Sequence, residues 1–545
     1  MTTPQKRWLY ALWLLFIGCF ALLHALHLSA DFPNHTPWTG DWAKYTDEGW
    51  YGNAAIRAHL FGNWHLAGDL NPAPALPVWP FLEWVLFFFT GVSVQAARGL
   101  AVAFFFCNLL LSYLLLRATG PRWTALFAVT LIVTSPFLYC FSRLAILEPP
   151  LIAFTLTALN LAVRLPRMRR PLAASAAIGL LFTLMVLTKT TAVFLLPALI
   201  WGMAVPFWHT RRSEASAGRS SSVWWKLAAR CALSAAVAFA VAFGLWMALV
   251  IHSGFFADYK YLFTSNQSIK PRELFWPIVS LWWSFHGGLW VDHLLLPLAG
   301  LIVLGAALAW RSPVGRKLLF DPIFAVSVLA VAGVLFFMAC QNHPQPRYFA
   351  VAAFFCFFVV AQGAGALLDS PNEIRSPRSP QRIVGWAVVA LVVLAVAFNG
   401  LQTLNYAAHP EYTFVDAARR LTQYIDAHPN GKRLLVSSSG DEITLITRLP
   451  ALCDDFGTQD LASKLDRYQP GWFAAWNDLD PGTLADIHQH FSLEQAAAFR
   501  AFDDTDRNIL VLFKLHPIAG GRERDPDVQN LQIPLPGDKI GIKVE

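Results

Sequence analysis

The chain has 545 residues, of which 56% are hydrophobic and only 14% charged, against roughly a quarter charged in an ordinary soluble domain. So few polar side chains cannot clothe a body of this size in water, so lipid is the expected solvent; a soluble enzyme, a disordered chain, a collagen repeat and a disulfide scaffold are excluded together. The formal charge of +7 is read as a membrane-orientation signal and not as a nucleic-acid surface, because Lys and Arg gather in short loops.

Apolar runs near the twenty or so residues that cross hydrocarbon occur at 8–28, 99–116, 123–141, 150–163, 172–188, 191–207, 227–251, 293–310, 320–340, 348–368 and 383–404. They predict a mainly α, polytopic membrane protein with about eleven transmembrane helices. The run 76–92 is shorter, contains Pro77, Pro80 and Glu83, and is read as an interfacial helix. Only then do Lys6/Arg7, Arg117/Arg122, Arg164/Arg167/Arg169/Arg170, Arg211/Arg212/Arg219, Arg311/Arg316/Lys317 and Arg375/Arg378/Arg382 share one side. The positive-inside rule makes that side, and the N-terminus, cytoplasmic. The first run is longer than the apolar core of a secretory signal and reads as an uncleaved anchor.

Segments 29–98, 142–149, 188–191, 252–292, 341–347 and everything after 404 then face outward. Tyr259, Tyr261, Phe275, Trp276, Trp282, Trp283 and Trp290 make the fourth of these an interfacial aromatic belt or the flank of a groove. Beyond residue 405 the composition becomes that of a water-soluble domain. Helical spacing at 412–428 and 491–502, with strand patterns at 433–438 and 508–515, predicts a small extracytoplasmic (periplasmic) α/β domain with a Pro/Gly-rich tail from 517. The predicted division is 1–404 for the membrane-embedded catalytic part, including the outer loop 29–98, and 405–545 for the soluble part.

The outer face gathers the chemistry. Asp47-Glu48 precedes a helix-like stretch in the first outer loop; such a pair either complements a helix dipole or serves a reaction. Arg143 and Glu148 lie between two spans at an interface where ionisable groups are costly. Lys189, with almost no loop around it, needs an anionic partner such as a lipid phosphate, or else snorkels to headgroups. Arg347, in Pro346-Arg347-Tyr348, is able to grip phosphate bidentately. Outer carboxylates and cations together suit transfer of a group from a phosphate-linked lipid: one acid takes a proton from the acceptor hydroxyl, and fixed cations stabilise the departing phosphate. The sequence has no Gly-rich phosphate loop, HExxH or G-x-S-x-G motif, and its seven cysteines show no CxxC spacing. No cofactor and no metal set are predicted.

At these residues the chain resembles the membrane-embedded GT-C glycosyltransferases that use polyprenyl-phosphate sugars, in particular the bacterial aminoarabinose lipid A transferases and the protein O-mannosyltransferase superfamily. The resemblance rests on Asp47-Glu48 with Tyr51, on Gly91 and Arg98, on Arg143 and Leu147-Glu148-Pro149, on Leu187-Thr188-Lys189, and on Pro346-Arg347-Tyr348, and it covers residues 8–350. It implies Asp47 as catalytic base or its organiser, Glu48 as a supporting residue, and Tyr51, Lys189 and Tyr348 as contacts to the donor phosphate. Glu148, expected with Asp47 to be catalytic, stands where the family more often has Asp. Trp50 replaces an Arg of the aminoarabinose transferases, and Pro and Ala around Pro72–Pro77 replace their Glu-Lys-Pro segment. Arg143 and Arg347 are the cations that would compensate. The resulting expectation is an inverting, polyprenyl-phosphate-sugar-dependent glycosyltransferase of the bacterial inner membrane and cell envelope, acting at the outer face on a lipid, glycan or protein acceptor, with membrane lipids but no nucleic acid as partners. The alternatives are a transporter or lipid-linked sugar flippase, for which inverted repeats and midplane polar groups would be expected, and a decayed site beside a binding module.

Overall fold

A computed structural model describes residues 3–215, 222–264, 295–340, 345–368, 380–454, 456–503 and 507–518. The five aromatic positions from Phe275 to Trp290, the basic residues Arg219, Arg375 and Arg378, Gln341–Pro344 and the tail after 518 lie outside the described residues. Helices dominate: α1 (Thr3–Leu23), α2 (Asp47–Phe61), α3 (Val78–Thr90), α4 (Val94–Leu116), α5 (Arg122–Thr134), α6 (Pro136–Ser142), α7 (Glu148–Ala162), α8 (Pro171–Thr188), α9 (Leu196–Ala215), α10 (Ser222–His252) and α11 (Phe256–Thr264). They continue as α12 (Leu295–Leu308), α13 (Pro313–Leu319), α14 (Pro322–Ala339), α15 (Phe349–Leu368), α16 (Pro380–Ala408) and α17 (Thr413–Ala427).

Among the described residues, seven helices are long and apolar enough to cross a membrane. The predicted runs 150–163 and 293–310 fall on the shorter helices α7 and α12, run 8–28 overlaps α1, and the predicted interfacial run 76–92 forms the 13-residue α3. Run 123–141 is not straight. It bends by 68° between α5 and α6, because Pro136 lacks the N–H that would continue the ladder and Ser135 instead caps the new helix through the Leu138 N–H at 3.1 Å. The centre of the bundle is α15, buried from Phe349 to Ala361. The short 3-10 turn that leads into it, Pro346–Tyr348, sets two candidate site residues at its entrance.

The C-terminal part is a five-stranded sheet with helices. Its strands are β1 (Leu435–Val436), β2 (Ala451–Leu452), β3 (Trp472–Trp476), β4 (Phe491–Arg500) and β5 (Ile509–Pro517), in the order β2-β1-β3-β5-β4. β1 runs parallel to β2 and β3, and β5 antiparallel to β3 and β4. Helix α17 buries Phe414, Ala417, Ala418, Leu421 and Ile425, the apolar stripe its sequence spacing predicts. Helices α18 (Gly440–Thr447), α19 (Leu461–Tyr468) and α20 (Pro481–His488) complete it.

One predicted element changes type: 491–502, read as a helix, is strand β4. Its three alanines favour a helix locally, but pairing with β5 along nine residue pairs overrides that preference. The burial pattern agrees, since Phe491, Ala497 and Phe499 point inward and Ser492, Glu494 and Arg500 outward. A bulge between Gln495 and Ala497 blurs the period-two pattern in the sequence.

Candidate active site

The site assembles where α2, α7, α8 and α15 end together. Its centre is Arg347, which bridges two acids of the first outer loop: Nη1 pairs with Asp41 Oδ1, and Nη2 lies 2.5 Å from Asp47 Oδ2. Asp41 also accepts the backbone N–H of Arg347 at 2.8 Å and caps the turn Trp42–Lys44 through the Ala43 N–H at 2.9 Å. Both ends of this arginine are thus fixed before the reaction begins. Asp47 accepts a second bond, 3.0 Å, from the Thr46 hydroxyl. Burial pushes its carboxyl above the usual carboxylate range, helped by the charges of Asp41 and Glu148 and opposed by Arg347. A carboxylate raised in this way is a stronger base.

The second half of the site follows through Tyr348. Its ring lies 4.4 Å from Lys189 Nζ and 5.0 Å from the Arg347 guanidinium carbon, an aromatic face between two cations. Lys189 pairs with Glu148 Oε1. Glu148 opens α7, where Pro149 and Pro150 preset the first turn, and Lys189 leaves α8 in an extended conformation. Two cavities meet here. One is lined by Glu148, Lys189, Phe337 and Tyr348 among others. The second, of about 60 Å³, is lined by Trp42, Asp47, Trp50, Tyr51, Gln345, Arg347, Tyr348 and Phe456. Tyr348 is the shared wall. Tyr51 faces the charge of Asp47, and burial together with that charge holds its phenol well above the usual range, leaving a neutral O–H able to donate.

Helix α2 explains how one short element serves so many partners. At 100° per residue, positions three and four apart share a face. Asp47 and Tyr51 face the cavity. Glu48 and Gly52 face α3 and α4: Arg98 on α4 grips Glu48 through Nε at 2.7 Å and Nη2 at 2.5 Å, while Glu83 Oε2 of α3 comes so close to Gly52 that a Cβ there would lie 2.2 Å away. Burial and the charge of Glu48 push Glu83 well above the usual carboxylate range. Gly49, Asn53 and Arg57 face the C-terminal part. Trp50 packs on Phe456, centroids 4.8 Å apart, and Ala54 and Ala58 line a separate apolar groove. Among these faces none is left to solvent before the last turn.

The structure therefore brings Asp47, Tyr51, Glu148, Lys189, Arg347 and Tyr348 together, and separates two predicted members from them. Glu48 is fully buried and held by Arg98 and by the Ala145 N–H at 2.7 Å; it locks α2 onto the bundle. Arg143 bonds the Tyr139 hydroxyl and the carbonyls of Leu26 and His27, the latter two at 2.5 and 2.7 Å. Its partner is the loop after α1, while that of Glu148 is Lys189. Sequence reading missed Asp41 as a site residue, although its place six residues before Asp47 was a signal, and Gln345, although it lies in the polar turn before Arg347; for Phe456 and Trp42 the signal is three-dimensional. Among the described residues no group of three or more His, Cys, Asp or Glu side chains is placed to hold a metal ion.

Residues 76–253 match the family described as dolichyl-phosphate-mannose-protein mannosyltransferase. Comparison with curated proteins gave no match. Among solved structures the chain is similar to ArnT from Cupriavidus metallidurans bound to undecaprenyl phosphate, with 15% identity over 92% of this chain and 98% of that one and a TM-score of 0.55. It is also similar to the archaeal oligosaccharyltransferase AglB from Archaeoglobus fulgidus in complex with an inhibitory peptide and a dolichol-phosphate, with 12% identity over 87% and 70% of the two chains and a TM-score of 0.51. At such identities the likeness is one of fold. The chain therefore has the fold of these multi-pass membrane proteins, and about a third of it, residues 76–253, carries the mannosyltransferase family match.

Proposed function

We propose that the protein is an inverting glycosyltransferase that moves a sugar from a polyprenyl monophosphate carrier to an acceptor at the outer face of the cytoplasmic membrane. The observation that carries this reading is the continuous buried string Asp41–Arg347–Asp47 and Tyr348–Lys189–Glu148, which puts a raised carboxylate and a lysine on either side of one aromatic wall. Asp47 takes the proton of the acceptor hydroxyl. The oxygen then attacks the anomeric carbon from the face opposite the phosphate, the C1–O bond to phosphate breaks with its electron pair, and polyprenyl phosphate leaves.

Lys189 is the cation for that phosphate: one of its three N–H donors serves Glu148, which orients it, and the others are suited to oxygen ligands. Arg347, committed to Asp41 and Asp47, acts by fixing the base. The solved relatives support the donor class, since ArnT is bound to undecaprenyl phosphate and AglB to a dolichol-phosphate. The division at residue 404 rests on the change of composition there, and the orientation, with the N-terminus cytoplasmic and 405–545 outside, on the charge bias of the loops. The test is transfer from a panel of radiolabelled polyprenyl-phosphate sugars to envelope acceptors by the purified protein. Release of carrier phosphate by the wild type, lost in Asp47→Asn, supports the reading; near-normal transfer by that variant would sink it.

A further inference from the structure

The face of α2 formed by Gly49, Asn53 and Arg57 touches none of the reacting string, yet one acid pair from the distant C-terminal part occupies all three positions. Glu442 accepts the Gly49 N–H at 2.8 Å across 393 residues of sequence. Asp441, its neighbour at the start of α18, accepts from Asn53 Nδ2 at 3.2 Å and from Arg57 Nη2 at 2.9 Å. Gly49 is the third residue of α2, one of the four whose N–H has no partner inside a helix. The usual acceptor for such an N–H, the side chain of the N-cap residue Thr46, makes no cap bond. The helix that carries Asp47 is therefore capped from another part of the chain.

The fit is tight. A Cβ on Gly49 would lie 2.2 Å from both the Asp441 carbonyl carbon and the Glu442 nitrogen, so backbone meets backbone and neither side can slide. Glu442 and Asp441 are 1% and 2% exposed. Glu442 sits near Glu48 and Arg98, and burial with the charge of Glu48 pushes its carboxyl well above the usual range. What it supplies to Gly49 is a fixed acceptor oxygen.

We propose that Glu442 is a positioning residue for sugar transfer, holding the first turn of α2, and with it Asp47 two residues upstream, in the register that Arg347 and the acceptor require. The proposal rests on the transfer reading above and assigns the C-terminal part a role in it: the sheet region is the clamp of the base-bearing helix.

The test uses the full-length purified protein and a polyprenyl-phosphate sugar that the wild type turns over. Glu442→Ala is expected to lower kcat by about 10²-fold, the scale of a misplaced catalytic group, with the donor KM held within about twofold, as for an interaction that matters only in the transition state. Glu442→Gln, whose amide oxygen accepts the same N–H, is expected to recover most of that loss. In parallel, amide hydrogen exchange in residues 47–51 is expected to accelerate in Glu442→Ala and not in Glu442→Gln. Wild-type kcat per folded molecule in Glu442→Ala, unchanged exchange at 47–51, or a Gln variant no better than the Ala variant would each overturn the proposal. If Glu442→Ala does not fold, Gly49→Ala carries the same test, since its methyl displaces α2 from the clamp while leaving Glu442 intact. A wild type that transfers no sugar refutes the transfer reading instead, and the exchange measurement still decides the contact.

Discussion

Asp47 and Glu48 are neighbours in sequence, both almost completely buried and both paired with an arginine, yet they do different work. Glu48 is enclosed by Arg98 and the Ala145 N–H and faces the packed bundle. Asp47 shares Arg347 with a second acid and faces a cavity. One helical step of 100° separates a lock from a candidate base. Burial and ion pairing alone do not mark function; what sets Asp47 apart is an ion pair held at the wall of a cavity.

The contrast breaks most visibly by substituting each acid in turn. Asp47→Asn is expected to cost about 10² to 10⁴ in transfer rate, the contribution of a positioned general base, with thermal stability near that of the wild type. Glu48→Ala should do the reverse. It leaves Arg98 buried without its partner, a loss of about 3–5 kcal/mol, so the melting temperature in detergent falls and activity declines in step with folded protein. A folded, stable Glu48→Ala protein with rate reduced as far as in Asp47→Asn would erase the distinction. Arg347→Lys comes next, since a single ammonium cannot span Asp41 and Asp47 as the fork does; a loss on the order of 10²-fold is expected from the misplaced base, measured as kcat at saturating donor.

Lys189 probes the phosphate side of the same string. Replacing it with Met removes one charge-assisted contact, worth about 1.5–3 kcal/mol, and so should raise the donor KM by about 10- to 100-fold. Lys189→Arg, which restores a cation, should recover part of the affinity. An unchanged KM in Lys189→Met would move the phosphate away from this residue and toward the Nε of Arg347, which has no hydrogen-bond partner among the described residues.

The helices were readable because a membrane permits few solutions: backbone groups must be satisfied within each segment, so long apolar runs are helices. Short local motifs carried Asp47, Glu148, Lys189 and Tyr348, each set at a helix end by its own Pro, Thr or polar neighbours. Pairings over long separations were not readable. Asp41 and Arg347 are 306 residues apart, and Asp441-Glu442 looks in sequence like any acidic helix start, its partners on α2 invisible without coordinates. The strand β4 was misread for the same reason, because its alanines state a local preference and only β5 states the tertiary one. Arg143 and Glu48 show the opposite error, in which a charged residue near the right motif turns its side chain to a structural partner.

A last comparison tests whether the two parts of the chain are joined in both directions. Asp31, just after α1, caps α17 from across the interface, accepting the N–H groups of Phe414 at 2.8 Å and Val415 at 3.1 Å, much as Glu442 caps α2. Burial dominates over these bonds and over the charge of Arg98, and its carboxyl is pushed up from 3.8 to about 7. An acid with a raised folded-state pKa binds its proton more tightly in the native protein than in the unfolded chain, so stability falls as pH rises between those values and is flat beyond them. Wild-type melting temperature is thus expected to decline from about pH 4 to about pH 7 by an increment that Asp31→Asn, neutral at every pH, does not show. Parallel melting curves for the two proteins across that range would mean that Asp31 is ionised in the folded protein at no cost, and that its cap on α17 does not depend on a bound proton.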